Sequence, residues 1–318
     1  MTNPIDPTRG SPTGGTDDPD LPPAGRSFAN GRIARDAEAF ARYQSFATDW
    51  VDQSSGNAAA CGGFDARPTE RIGNSTLAFA QGRDSFAFAP TDIRQRTLGD
   101  CSLMGTLAGL AATPAGRALL SNAISENRDK SGAVISYTVT LYKPDDTRFP
   151  PVSLACKVQV VPEFPKGAHA DPATNDDKTK SEIWPLVVEK AYAEVRGGYD
   201  RIGCGGTVYG AMTALTGTFP QHDEPGWLFG YTSKDLLRDL AAGKTIVLST
   251  PKEDELTVSR TRFPADSFKI ANEHAYAVLG TTTEGDNVRV RLYNPWGEEV
   301  SIPLNHLSKW FSGVDFSR

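Results

Sequence analysis

The order of hydrophobic patterns along the chain limits the fold more than any other feature of this sequence. Apolar residues spaced three or four apart, typical of helices, recur from Leu103 to Leu110 and from Ile183 to Val195. The two-residue alternation typical of strands dominates the last third, above all residues 275–292. A parallel doubly wound sheet would need strict alternation of strand and helix. The sequence therefore predicts an α+β fold, with helices early and strands late.

Two further local features are predicted in the middle of the chain. Alternation from Ile135 to Leu141, the turn Pro144-Asp145-Asp146 and alternation from Val152 to Val160 predict a β-hairpin. The helix that contains Ile183 is predicted to end at the glycine pair 197–198.

Composition and charge exclude several classes of protein. With 39 acidic against 33 basic residues the formal charge is −6, which disfavours capture of nucleic-acid phosphates. No apolar run approaches the ~20 residues that span a bilayer, and the first residues do not resemble a signal peptide. The sequence thus predicts a cytoplasmic protein that binds neither nucleic acid nor membrane.

The cysteines support the same location. There are four, too few for a disulfide scaffold, and none forms a Cys-x-x-Cys zinc pair. A reducing compartment is predicted. Cys156 lies in phase with Val152 and Val160, so it is interpreted as a packing residue on one strand face.

Cys101 is the candidate nucleophile. The apolar pattern behind it predicts a helix that begins at or next to Cys101 and stops at Thr113-Pro114. Unpaired N–H groups at a helix N-terminus favour thiolate and lower a cysteine pKa. Gln95 is placed to present its side-chain amide beside the Cys101 backbone N–H, where the two would bind a developing oxyanion.

His274 and Asn294 are the candidate partners, since a thiol enzyme needs an imidazole and a group that orients it. If the hairpin turns symmetrically about Glu284, the two residues face each other, close enough for a hydrogen bond. Trp296 would then cover the pair and shield that bond from water. The other histidines, at positions 169, 222 and 306, are assigned surface or packing roles.

Four ordered blocks of sequence resemble the calpain-like cysteine peptidases, relatives of the papain-like fold. The blocks are Thr91-Asp92-Ile93-Arg94-Gln95 through Leu98-Gly99-Asp100-Cys101, Glu182-Ile183-Trp184 through Glu189-Lys190-Ala191-Tyr192-Ala193, Gly205-Gly206-Thr207 with Leu215-Thr216-Gly217, and His274-Ala275-Tyr276 with Asn294-Pro295-Trp296-Gly297. Several ordered blocks are far more specific than one short motif.

The resemblance implies a papain-like two-lobed fold and a peptidase mechanism. It implies Cys101 as nucleophile, His274 as general base and then acid, Asn294 as orienter and Gln95 as oxyanion-hole donor. Gly205 would line the cleft and bind the substrate backbone. The reaction would be hydrolysis of a peptide bond through a thioester acyl-enzyme.

The predicted organisation of the chain follows from these assignments. Residues 1–31 are predicted to be a disordered leader, because they contain almost no large apolar side chains. Residues 32–82, with helical spacing from 32 to 53, are predicted to form a helical arm and linker. Residues 83–198 would form the lobe that carries the cysteine, and residues 199–318 the β-rich lobe that carries the histidine and asparagine.

Metal and partner predictions also come from the resemblance. Asp92 and Glu182 match the side-chain ligands of one family calcium site, so we expect no required cofactor and at most a single weak Ca²⁺ site there. Glu273 stands where many relatives have glycine, and Ser102 where many have an aromatic residue. Glu273 is expected to add negative charge near the imidazole.

Two alternatives to a peptidase remain open. A deamidase or transglutaminase would use the same thiol chemistry on glutamine side chains. An inactive binding module would keep the fold alone, although the complete set of site residues argues against it. The expected partners are a protein or peptide substrate and a regulatory protein.

Overall fold

The computed structural model describes residues 62–72, 87–145, 152–174, 181–226, 230–251 and 270–318. The predicted leader, residues 1–31, and the helix predicted over residues 32–53 lie outside the described residues.

Helices and strands alternate irregularly in the described residues. The helices are α1 (Cys101–Ala112), α2 (Pro114–Ala123), α3 (Trp184–Arg196), α4 (Tyr199–Ile202), α5 (Val208–Thr216), α6 (Ser233–Ala241) and α7 (Leu307–Trp310), with short 3-10 helices at Pro90–Asp92 and Leu304–His306. The strands are β1 (Thr69–Arg71), β2 (Ile124–Arg128), β3 (Val134–Asp145), β4 (Val152–Val160), β5 (Glu163–Pro165), β6 (Ala173–Thr174), β7 (Ser181–Glu182), β8 (Gln221–Asp223), β9 (Ile246–Ser249), β10 (Ala275–Glu284), β11 (Asn287–Asn294), β12 (Glu298–Pro303) and β13 (Gly313–Phe316).

The strands form two larger sheets and two small pairs, all antiparallel. The largest sheet has the order β12-β11-β10-β9-β13-β8, and the second has the order β2-β3-β4. Strands β1 and β5 pair with each other, as do β6 and β7. This mixed helix and sheet content agrees with the predicted class.

Helix α1 packs directly on the largest sheet. Its residues Leu103, Met104 and Leu107 are completely buried. The helix approaches β10 closely because Gly105 has no side chain: a Cβ there would lie 3.1 Å from Cβ of Ala275. This close approach brings the start of α1 next to the start of β10.

Several predicted elements are confirmed, with one change in the middle hairpin. Strands β3 and β4 pair as predicted, but Pro144 and Asp145 belong to β3 and pair with Ser153 and Val152. Strand β2 pairs with β3 only as far as Val139, so Pro144 lies in the part of β3 that pairs with β4 alone among the described strands, a position that tolerates a proline.

Helix boundaries follow the local signals. Helix α1 begins at Cys101 and ends at Ala112, after which Thr113 also caps the next helix by accepting a hydrogen bond from Gly116 N–H. Pro114 is therefore the first residue of α2, and it also ends the apolar pattern of α1. Helix α3 ends at Gly197, which adopts the left-handed conformation with φ 95°.

The predicted register of the last hairpin is wrong. The symmetric turn about Glu284 would pair His274 with Asn294, but Glu284 pairs with Asn287 around a two-residue turn, and the register shifts between Val278 and Gly280. Beyond that shift Ala277 pairs with Tyr293. Continuing this pairing by three residues leads to His274 and Trp296, so Asn294 lies diagonally from the histidine.

The state of Cys204 differs from the reducing environment that the cysteine count predicted. It is disulfide-bonded, whereas Cys101 and Cys156 are free thiols. Cys204 therefore gives no support to the predicted reducing compartment. Cys156 is half-buried and packs against the main core, as its strand phase predicted. None of the described helices combines the length and apolar content that a membrane crossing requires.

Candidate active site

The thiol of Cys101 lies at the first residue of α1, against the strand that follows His274. Its Sγ is 3.8 Å from the backbone oxygen of Glu273, and its pKa is affected by the backbone N–H of Ala275. The side chain packs against a small buried cluster that contains Val247 and Met212. The thiol therefore contacts the residues on both sides of His274.

His274 is bonded to Asn294 and covered by Trp296. The distance from His274 Nε2 to Asn294 Oδ1 is 2.8 Å, and both side chains are buried. The Trp296 indole packs on the imidazole in a tilted arrangement, with ring centroids 4.3 Å apart and an angle of 34° between the planes. The Trp296 backbone N–H donates to the same Asn294 oxygen at 3.1 Å. One oxygen thus fixes both the imidazole and the segment that covers it.

Thr250 holds the backbone of His274, a role that the sequence did not reveal. The Thr250 hydroxyl accepts a hydrogen bond from His274 N–H at 2.9 Å, and Thr250 N–H donates to His274 O at 2.9 Å. Thr250 follows β9 directly, and β9 pairs with β10. The sequence could have identified Thr250 as a partner of His274 only if the pairing of β9 with β10 had been known.

Gln95 lies between the nucleophile segment and the end of β11. Its backbone N–H donates to Pro295 O at 2.8 Å, and its Nε2 donates to Leu98 O at 2.7 Å. Nearby, the Tyr293 hydroxyl donates to Ile93 O at 2.8 Å. These bonds tie the segment before Cys101 to the segment that carries Asn294.

Gly205 lies on the loop between α4 and α5, next to the segment that leads to Cys101. It has φ 94°, and the space where its side chain would lie is open. Gly99 is packed tightly against this loop, because a Cβ there would collide with the Gly203 carbonyl oxygen. The open backbone at Gly205 is accessible to an extended ligand.

Glu273 adopts a conformation that favours glycine. Its φ of 47° is in the left-handed region, and it is the only such non-glycine residue among those described. The side chain is exposed. Burial lowers the pKa of His274 and the Asn294 bond opposes that shift, while Glu273 is not among the causes.

Burial favours the neutral forms of both the thiol and the imidazole. It is the largest cause that raises the pKa of Cys101, and the charge of Asp100 adds to the rise, while the N–H groups of Ala275, Ser102 and Cys101 oppose it. Burial lowers the pKa of His274, with partial opposition from Asn294. The N–H groups at the helix N-terminus do lower the thiol pKa, as predicted, but desolvation of the thiol outweighs them.

The other histidines have partners of their own. His169 is buried, with Nδ1 2.6 Å from Ala170 O and Nε2 3.1 Å from Glu70 Oε1. His222 Nδ1 lies 2.8 Å from the buried carboxylate of Asp315. His306 ends a short 3-10 helix near the C-terminus. These contacts agree with the packing roles assigned from the sequence.

Comparison with known proteins identifies the family. A family model described as calpain family cysteine protease matches residues 66–303, most of the chain. The chain belongs to the calpain family. The predicted resemblance is confirmed.

Individual relatives of this calpain-family chain are only moderately similar to it. The chain is 32% identical over 146 residues to the calpain-2 catalytic subunit of Gallus gallus, a match that covers 42% of this chain and 19% of that protein. It is 32% identical over 127 residues to calpain-8 of Mus musculus, covering 37% and 17%. It is 27% identical over 218 residues to a calpain-type cysteine protease of Arabidopsis thaliana, covering 66% and 9%. The matched region thus spans about a fifth or less of each relative.

The two candidate calcium ligands of this calpain-family chain are buried. Asp92 Oδ2 accepts hydrogen bonds from Ala89 N–H at 2.7 Å and from the Trp184 indole at 3.0 Å. Glu182 is 1% exposed. No cluster of three or more acidic, histidine or cysteine side chains suited to a metal occurs within the described ranges. One carboxylate oxygen of Asp92 is thus already used by two N–H donors of the protein.

Removal of calcium is therefore expected to have little effect. Excess chelator should leave the melting temperature unchanged within about 1 °C, because the Asp92 carboxylate keeps its protein donors without metal. The measurement is thermal unfolding in chelator and in millimolar Ca²⁺, with Mg²⁺ as the control cation. Stabilisation by Ca²⁺ alone that is lost in an Asp92→Asn variant would show instead that this site is occupied.

Proposed function

We propose that this calpain-family chain is a cysteine endopeptidase that cleaves peptide bonds through a Cys101, His274 and Asn294 triad. The supporting observation is the 2.8 Å bond between His274 and Asn294 at a point where the Cys101 thiol contacts Glu273 and Ala275. A papain-like two-lobed arrangement, with the site between the α1 segment and the largest sheet, is part of this proposal.

The first step is transfer of the Cys101 proton to His274. Asn294 accepts from His274 Nε2, so Nδ1 is the nitrogen that takes the proton. Burial opposes each ion separately, but the thiolate and imidazolium form together and attract each other in the same desolvated cleft. The Asn294 bond raises the pKa of His274 and so supports this transfer.

The thiolate then attacks the carbonyl carbon of the substrate and forms a tetrahedral oxyanion. The Cys101 backbone N–H and the second N–H of the Gln95 amide stabilise that oxygen. His274 returns its proton to the leaving nitrogen as the C–N bond breaks, leaving a thioester on Cys101. Water, deprotonated by His274, attacks the thioester and releases the acid product and the free thiol.

Substrate binding is assigned to the open loop at Gly205. Its backbone can pair with an extended peptide without a side chain in the way. The substrate is accordingly a protein or peptide, and any regulatory partner would act on the approach of the segments around Cys101 and His274.

The test is a comparison of peptide cleavage with ammonia release. The purified chain is incubated with an unfolded protein and with a glutamine-containing peptide that has blocked ends. New N-termini found by mass spectrometry, absent after alkylation with iodoacetamide, support the proposal. Ammonia release without cleavage would establish the deamidase reaction instead, and neither product would contradict both.

A further inference from the structure

Two acidic side chains meet in the core directly behind Cys101. Asp100, the residue before the nucleophile, is 2% exposed, and Glu189 in the middle of α3 is 1% exposed. The Asp100 side chain has hydrogen-bond contacts with both Glu189 and Gln95. Asp100 occupies the N-cap position of α1, but its side chain does not cap the helix. The carboxyl points into the protein interior, where it meets the second acid.

Hydrogen bonding around the two acids lacks a well-aligned donor. Among the described residues, neither carboxyl oxygen of Asp100 nor Oε1 of Gln95 has a hydrogen bond of good geometry, and the contacts of the Asp100 carboxyl with Gln95 and with its own backbone N–H fall short of it. Glu189 accepts from Ala170 N–H at 3.2 and 3.0 Å. Buried polar oxygens are almost always paired. A proton shared between the two carboxyl groups would supply the missing donor.

The charges around the acids also require a proton. Among the described residues, no lysine, arginine or histidine contributes to the pKa of either acid. The other titratable groups that sense them are Cys101 on α1, Tyr192 on α3 and Tyr199 at the start of α4. Two buried carboxylates in contact without a cation would each lose several kcal/mol of solvation and repel each other.

Both pKa shifts have the direction that this geometry requires. Burial raises the pKa of Asp100 to about 7, against the opposing hydrogen bonds of Glu189 and Gln95. Burial and then the charge of Asp100 raise the pKa of Glu189 well above its usual range. The two acids therefore retain at least one proton at neutral pH.

We propose that Asp100 and Glu189 form a buried acid pair that shares a proton and thereby positions Gln95 for the reaction at Cys101. The assigned role of Gln95 rests on the proposed function. The Gln95 amide has two N–H groups, and Leu98 O accepts one of them. While Glu189 donates its proton to Asp100, the Asp100 carboxyl holds the Gln95 amide only weakly, so the second Gln95 N–H can turn to the oxyanion. An Asp100 carboxylate without that donor would bind the N–H more tightly and hold it away from the oxyanion.

The experiment compares three substitutions on α3 in the full chain. Glu189→Gln keeps an N–H donor for Asp100 that no pH removes, whereas Glu189→Leu removes the donor. Glu194→Gln is the matched control, because Glu194 is an exposed acid on the same helix. Thermal unfolding of each variant identifies those that fold.

The first readout detects the proton and does not depend on catalysis. Both raised pKa values mean that the folded chain binds more protons than the unfolded chain between about pH 4 and pH 7. Stability of the natural chain should therefore fall as pH rises through this window. We expect a clearly smaller fall in Glu189→Gln and a nearly unchanged one in Glu194→Gln, because the pKa of the exposed Glu194 carboxyl is raised by less than that of Glu189. Equal pH dependence of stability in the natural chain, Glu189→Gln and Glu194→Gln would overturn the proposal that Asp100 and Glu189 share a proton.

The second readout is the separation of kcat from KM. Glu189→Leu should lower kcat about tenfold with KM unchanged, because the oxyanion forms only during the reaction. Glu189→Gln should keep kcat within about threefold, a rescue that a general loss of packing would not produce. A folded Glu189→Leu variant with full kcat would overturn the positioning role. If the natural chain cleaves no peptide, the positioning role of the acid pair fails together with the proposed function. The pH dependence of stability still shows whether Asp100 and Glu189 share a proton.

Discussion

A Cys101→Ala variant should lose at least about 10⁴-fold in kcat/KM for peptide cleavage, because no other thiol among the described residues lies beside His274 to form the thioester. It should also lose labelling by a thiol-reactive epoxide. The measurement is the rate of cleavage of a fluorogenic peptide, together with the mass of the labelled protein. Folding should be kept, since the thiol is only partly buried and alanine removes a single atom from the site.

The matched control for this prediction is Cys156→Ala. Cys156 is the other free cysteine described, and it is also partly buried, but it lies on β4 and packs against the main core. That variant should retain full activity and epoxide labelling of Cys101. Comparable activity in the two alanine variants would remove Cys101 from the mechanism.

A His274→Ala variant should lose about 10³-fold or more in kcat, since general acid and base catalysis is worth roughly 10²–10⁴ and both chemical steps depend on this ring. Asn294→Ala should lose less, about tenfold to 10²-fold, because His274 stays in place through Thr250 and Trp296. The measurement is single-turnover cleavage, which separates the acylation step from product release.

His306→Ala is the control for the histidine series. His306 ends a short 3-10 helix near the C-terminus, and nothing assigns it to the site. It should keep kcat within about twofold. If Asn294→Ala is as inactive as His274→Ala, its melting temperature decides the cause, since a normal value would mean that the asparagine does more than orient the ring.

Local signals in the sequence were sufficient for much of the fold. The start of α1 at Cys101 and the end of α3 at Gly197 were predicted because apolar spacing, proline and glycine act within one or two turns of chain. The pairing of β3 with β4 and of β10 with β11 was predicted because each pair is joined by a short connection.

The site was predicted from sequence only in part. Sequence blocks identified Cys101, Gln95, His274 and Asn294, and the structure brings the last two within 2.8 Å. The register used to link them was wrong, because a two-residue turn and a bulge between Val278 and Gly280 shift the strands. The hydrogen bond between His274 and Asn294 forms despite the different register, because side chains can also reach diagonally across a strand pair.

The sequence by itself determined the family, the helix that begins at the nucleophile and the identity of the site candidates, because these depend on residue type and short spacing. Tertiary structure alone decided the direction of the Cys101 pKa, the anchoring of His274 by Thr250, the disulfide at Cys204 and the meeting of Asp100 with Glu189. Each of these depends on burial, or on contact between segments distant along the chain. Desolvation and long-range contacts exist only once the chain has folded, so no local pattern encodes them.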